Sequence, residues 1–595
     1  MPHTTDTADT AERFSPETRL FEVLRDPRGH AIVERHLPGL VHSSILHTLH
    51  GYPIGLVVDT EESLAPAERE ALLAEVAAIP TEEPAPVREQ ERFVEPSADY
   101  ESADVALASA VVSAPATASV HGRFEIELRG PSHGNPFVDV ALSAIVDGPA
   151  GSVRVPGFYD GDGVYRLRWM PETTGDHAWT TSSTARSLDG ITGSVSVGAA
   201  EAGRHGPVRV ADTFHFAHAD GTRHRPLGTT SYAWTHQGDE LEERTLASLA
   251  TAPFTKMRMC VFPKSYLFNE NEPVLYPFEG SAEEGFDHRR FDPEFWAHLE
   301  RRIEQLGELG IEADLILFHA YDRWGFSTMD AVADDRYVRY AVARLASFAN
   351  VWWSLANEYD LLFEKTEEDW ERFARIVGED DPSRHLLSIH NCRDFYDYSR
   401  SWITHASIQR QDVYKTAEMT TEWRRWGKPV VIDECAYEGD IDQGWGNITG
   451  EELVRRFWEG ALRGGYVGHG ETYVHPEDVL WWAKGGELRG TSPARIAFLE
   501  SVLAEGPERG LEPIPLDWDV PRAGVEGEYY LYYFGFDRPT YRRFLLEPDV
   551  SYTVDVLDTW AMTVERLPGT YSGRFRIDLP GREYIAVRLQ RALPC

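Results

Sequence analysis

Val351-Trp352-Trp353-Ser354-Leu355-Ala356-Asn357-Glu358 is an apolar run that stops at an amide and a carboxylate. Pro429-Val430-Val431-Ile432-Asp433-Glu434 has the same build. A short continuous apolar run with a polar end reads as a strand buried on both faces, as parallel sheets require. Six further runs flank these two, at 226–234, 254–263, 313–319, 386–390, 406–409 and 466–473. Helical stretches lie between most of them. One, 293–309, is entered by Asp292 as N-cap with proline at the first helical position and is closed by Gly310. Residues 341–349, 367–377 and 451–463 read as others. Eight strands alternating with helices over 208–510 predict a (β/α)8 TIM barrel.

Outside this span the period changes. Phe124-Glu125-Ile126-Glu127-Leu128 and Tyr165-Arg166-Leu167-Arg168-Trp169 alternate strictly, separated by the turn signal Asp160-Gly161-Asp162-Gly163. Residues 119–207 therefore predict an immunoglobulin-like β-sandwich. Tyr529-Tyr530-Leu531-Tyr532-Tyr533-Phe534 and Tyr552-Thr553-Val554-Asp555-Val556-Leu557 place a second β-sandwich at 511–595. Residues 16–80 read as a small helical module, whose plain role is packing or contact within a homo-oligomer. Residues 81–118, Pro- and Glu-rich at their start, read as a linker, and 1–15 as a disordered tail. The chain is thus expected to be multidomain.

The formal charge of −39 over 595 residues argues against nucleic acid as a partner. Cys260, Cys392, Cys435 and Cys595 form no CxxC pair and no disulfide framework. Met1 to Thr10 carries Asp6 and Asp9 and no apolar core, unlike a secretory signal. No apolar stretch is long enough for a membrane span. The expectation is a cytoplasmic protein with no membrane partner.

Active sites of such barrels sit at the C-terminal strand ends. There the sequence offers Trp234, Arg258, His319, Asn357-Glu358, His390-Asn391, Gln409, Asp433-Glu434 and Glu471. Glu358 and Glu434 end strands 4 and 7, which face each other across the mouth. Glycosidic cleavage needs such a pair, one acid for the leaving oxygen and one carboxylate for the opposite face. Glu438 rivals Glu434 but lies beyond its apolar run, and Asp433 should point away by alternation. No HExxH occurs and a carboxylate pair needs no metal, so neither metal nor cofactor is expected.

With these strand ends the chain resembles the retaining glycoside hydrolases of clan A. The wider pattern is similar to the apiosidase-like barrel subset, with an immunoglobulin-like sandwich before the barrel and a β-domain after it. Lys256-Met257-Arg258-Met259, 310–319, 353–358, Gly468-His469-Gly470-Glu471-Thr472-Tyr473 and 480–486 carry the likeness, which spans 120–595. It implies that Glu358 is the general acid/base and Glu434 the nucleophile, with carboxyl groups about 5–5.5 Å apart for retention. It further implies Asn357 on the sugar 2-hydroxyl and Arg258 beside Glu434, keeping it charged. His319, His390, Gln409 and Glu471 would bind sugar hydroxyls, and Trp481 and Trp482 would stack on a ring. The implied activity is a retaining exo-glycosidase for short oligosaccharides or glycosides, with the acidic loop 265–290 walling one end of the cleft. Two other readings stay open: a carbohydrate-binding protein on a degenerate barrel, and a transglycosylase sharing the covalent intermediate.

Overall fold

Alternation along Lys256-Met257-Arg258-Met259-Cys260 builds the barrel wall. Met257 and Met259 join the core shared with the outer helices. Cys260 packs inside with Ile316, Tyr232 and Trp482. The computed structural model describes residues 13–41, 43, 46–61, 63–80, 95–409, 417–477, 480–515 and 519–592. Eight parallel strands form one barrel-like sheet: β1 (Gly228–Thr230), β2 (Lys256–Cys260), β3 (Glu312–His319), β4 (Val351–Asn357), β5 (Leu387–Ser388), β6 (Ala406–Gln409), β7 (Val430–Glu434) and β8 (Tyr466–His469). Their order is β5-β4-β3-β2-β1-β8-β7-β6. A parallel bridge between His390 and Ser407 closes the ring from β5 to β6.

Inside the ring lies charge rather than the usual branched aliphatics. The Lys256 ammonium donates to Asp314 at 2.6 Å and to Asp433 at 2.5 Å. Arg258 reaches Asp314 at 3.4 Å. All four side chains are fully buried. Charges at this depth persist only when paired and hydrogen-bonded. Asp433 does turn away from Glu434, into this cluster.

The helices follow their caps. Asp292 accepts from the Glu294 amide and starts Pro293–Glu308. The helix expected at 341–349 spans Ala331–Leu345, because Asp330 caps it by accepting from Val332 and Ala333. The run 226–234 yields only Gly228–Thr230, with a 3-10 turn at Trp234–His236. Trp234 is therefore core, its indole N–H against Met259 sulfur, not a rim group. The run 466–473 divides, and Glu471–Thr472 pairs with Glu438–Gly439 instead of the barrel.

Ahead of the barrel, the long strand Gly151–Tyr159 pairs with Leu142–Gly148 through its first half and with Val164–Trp169 through its last residues. It joins the two layers of a sandwich around Ile126, Leu167, Trp179 and Val195. Part of the expected linker is folded. Val111–Ser113 pairs with Phe124–Arg129, and Thr117–Ser119 pairs with Thr192–Gly198, since unpaired sandwich edges offer free backbone groups. After the barrel, a six-stranded antiparallel sheet packs over the hairpin-like pair Tyr541–Leu545 and Arg574–Asp578.

The N-terminal helices Leu20–Arg25, Pro27–His36, Ile54–Thr60 and Pro66–Ala77 enclose Leu20, Val23, Val33, Leu72 and Val76. Arg13 to Ser15 are not tail: the Phe14 amide donates to Ile79 and its ring packs on this core. The remainder of the expected tail, residues 1–12, and residues 81–94 of the expected linker lie outside the described residues. The module sits at the C-terminal ends of the barrel strands. Phe21 stacks on Phe363, just past β4, with ring centres 4.8 Å apart. The Arg393 guanidinium lies 4.6 Å over the Tyr52 ring.

Candidate active site

β4 ends at Asn357, and Glu358 follows with φ 54°, a left-handed conformation. For a residue with a side chain this costs about 1–3 kcal/mol, and such strain concentrates at functional sites. Here it turns the carboxylate from the wall into the cleft. One carboxylate oxygen accepts from the Gln409 amide at 2.8 Å. The other accepts from the Tyr321 hydroxyl and, at 3.2 Å, from the Asn357 amide. Burial, reinforced by the charge of Glu434, raises the Glu358 carboxyl to about 7. Lys264, Tyr321 and Gln409 pull it the other way.

Glu434, at the end of β7, is partly exposed and accepts from the Tyr232 hydroxyl. Asn357 joins the two carboxylates. Its amide donates to Glu358, and its carbonyl oxygen lies 3.2 Å from the Tyr232 hydroxyl, whose single proton goes either there or to Glu434. A chain of polar contacts thus runs Glu434–Tyr232–Asn357–Glu358. β6 and β7 shift register between Ile408 and Gln409, which sets Gln409 opposite Glu434. Such an irregularity re-aims a side chain, here toward the site.

Lys264 completes the constellation. Its ammonium lies 3.5 Å over Tyr232, 4.1 Å over Tyr321 and 4.7 Å over Trp482. Two of those rings hold the two carboxylates. Burial lowers the lysine's proton affinity, and the aromatic faces compensate part of its lost hydration.

The cleft is a cavity of about 660 Å³. Glu358, Glu434, Gln409 and Trp482 line it, with Tyr266, Tyr321, Tyr437 and Trp445. Asn357 lies just behind Glu358. The other expected residues do not line it. Arg258 sits beneath, donating to Asp314, Ser354 at 3.3 Å and Asn357 at 3.0 Å, with no hydrogen bond to Glu434 among the described residues. His319 bonds the Phe262 carbonyl, and burial holds it neutral, at about 3. His390 is wholly buried above the charged interior and kept neutral by burial and Arg258. Trp481 is core, donating to Thr229 at 2.9 Å. Glu471 accepts from the amides of Arg489 at 2.5 Å and Gly490 at 2.7 Å, pinning a loop. Glu438, the rival nucleophile, does the same for Thr491 and Ser492.

Tyr232, Tyr321 and Lys264 were missed. Each lies within about four residues of a strand end, and that proximity was the available signal. Among the described residues, two groups have metal-ligating geometry, His218 with His224 and Glu312, and Asp239 with Glu242 and His298. Neither lines the cleft. The second is committed to Arg301 and Arg302.

Comparisons with known proteins bear on the family of the chain. The apiosidase-like catalytic domain family matches residues 212–498. Two domains of unknown function, DUF5060 and DUF5605, match 117–184 and 518–590. The chain is similar to a crystal structure described as a "putative glycoside hydrolase" from Bacteroides vulgatus, with 38% identity and a TM-score of 0.77. That match covers 80% of this chain and 100% of the other. It is also similar in fold to a family 5 glycoside hydrolase from Bacteroides vulgatus, with 14% identity and a TM-score of 0.52, covering 65% of this chain and 94% of the other. No curated protein matches.

Proposed function

The chain belongs to the glycoside hydrolases, with an apiosidase-like catalytic domain, and from that premise we propose a retaining exo-glycosidase of clan A type that works by double displacement. The observation that carries the reading is the pairing of Glu358 and Glu434 in one cavity, with Glu358 held at about 7. In this reading Glu434 attacks the anomeric carbon as a carboxylate, and Tyr232 orients it. Glu358 protonates the departing oxygen, then removes a proton from the water that releases the sugar. Asn357 keeps the two in register. Gln409 holds the Glu358 oxygen that does not bond Tyr321 and Asn357. Trp482, Trp445 and Tyr437 offer aromatic faces to the sugar. The substrates are short oligosaccharides or glycosides, and cytoplasmic placement belongs to the same proposal.

The test is proton NMR of the first sugar released from an aryl glycoside turned over by the enzyme. Retention requires the first-formed anomer to match the substrate, with turnover lost in Glu434→Ala. An inverted first product, or turnover surviving that substitution, overturns the reading.

A further inference from the structure

The N-terminal module does more than pack. Leu49, Tyr52, Leu56, Val57 and Thr60 line the catalytic cavity, which Trp445 and Trp482 also line. Among the described residues, the ring contacts of the module with the barrel go to the segments that follow β4, which leads into Glu358, and β5. Phe363, on which Phe21 stacks, follows Glu358 by five residues, and Arg393, over Tyr52, follows β5. Leu361, between Glu358 and Phe363, lines the cavity too. A general acid must touch the oxygen that departs, so the leaving group lies on the side of Glu358. That side is where the module stands.

The chemistry of the wall identifies what it accepts. A second sugar would bring several hydroxyls, each needing a partner once water is removed, and an unpaired buried hydroxyl is costly. The module supplies four apolar or aromatic side chains and one threonine. Leu56 keeps 49% of its surface exposed although its neighbours Val57 and Val58 are buried. An aliphatic side chain left half open at the rim of a catalytic cavity is suited to cover a flat apolar group. We propose that the N-terminal module forms the leaving-group subsite, and that it selects glycosides of aromatic alcohols over glycosides of a second sugar. This rests on the two-glutamate reading for the side on which the leaving group sits.

The experiment is calorimetric titration of the full-length chain with 2-naphthol, an aromatic alcohol without a sugar, for the wild type, Leu56→Asp and Leu56→Met. Because Leu56 is half exposed, neither substitution removes a core side chain. Binding in the wild type, weakened at least tenfold in Leu56→Asp and within twofold in Leu56→Met, is the expected result. No heat from the wild type at the solubility limit of 2-naphthol, or equal affinity in Leu56→Asp, overturns the proposal. Turnover is not part of this readout. Failure of the glycosidase reading would appear separately, as activity surviving in Glu434→Ala while naphthol binding behaves as stated.

Discussion

Glu358 and Glu471 follow similar apolar runs on the same barrel, and burial holds both carboxyls at about 7. Only one reaches the cleft. Glu471 is closed in by backbone: it accepts from the amides of Arg489 and Gly490, and a Cβ at Gly490 would lie 2.5 Å from its carboxylate. Glu358 accepts from side chains, faces open space and has a second carboxylate in the same cavity. A raised proton affinity is therefore no mark of function by itself. The partners and the space in front of the group separate the catalytic candidate from the structural pin.

The sharpest way to break the comparison is Glu434→Ala, expected to lower kcat on an aryl glycoside by about 10⁴-fold or more. Next comes the floor on which both strand ends rest. Lys256→Met takes away the ion pair of Asp433 and leaves Asp314 only its longer contact with Arg258, and should cost about 3–5 kcal/mol in urea unfolding.

Glu358→Gln tests the price of function at the acid. A buried carboxyl raised in the folded state destabilises the fold once pH exceeds its unfolded value of 4.5, and fully so above about 7. The substitution should thus stabilise the protein by on the order of 2 kcal/mol at pH 8 and by nothing below pH 4, while activity is lost. Thermal unfolding at the two pH values checks it.

Lys264→Met removes a charge that lowers the Glu358 carboxyl. The basic limb of kcat/KM should then move to higher pH, by up to about one unit. The smallest catalytic effect belongs to Glu471→Gln. It should leave kcat/KM within about threefold of the wild type. A large activity loss there would erase the distinction between the two glutamates.

Much of this was legible before folding. Each of the eight apolar runs overlaps a barrel strand, and Glu358, Glu434, Gln409 and Trp482 all reach the cavity. His319, His390 and Trp481 were legible only as rim positions. Burial sends His319 to the Phe262 carbonyl and Trp481 to Thr229 and encloses His390 completely, which strand position does not reveal. Arg258 was placed beside the nucleophile. Its charge does interact with Glu434, while its hydrogen bonds go to Asp314, Ser354 and Asn357.

The sequence by itself determined the alternation of strands and helices. Burial on both faces demands unbroken apolar runs, and caps such as Asp292 act within a few residues. It also determined that one carboxylate directly follows β4 and another ends β7. Tertiary structure alone decided which polar groups meet. Tyr232 reaches Glu434 across 202 positions, Gln409 reaches Glu358 across 51, and helices before residue 80 roof the cavity. Such contacts depend on ring closure and on the paths of loops. No local periodicity encodes these, because they are set by where separated segments come to rest against one another.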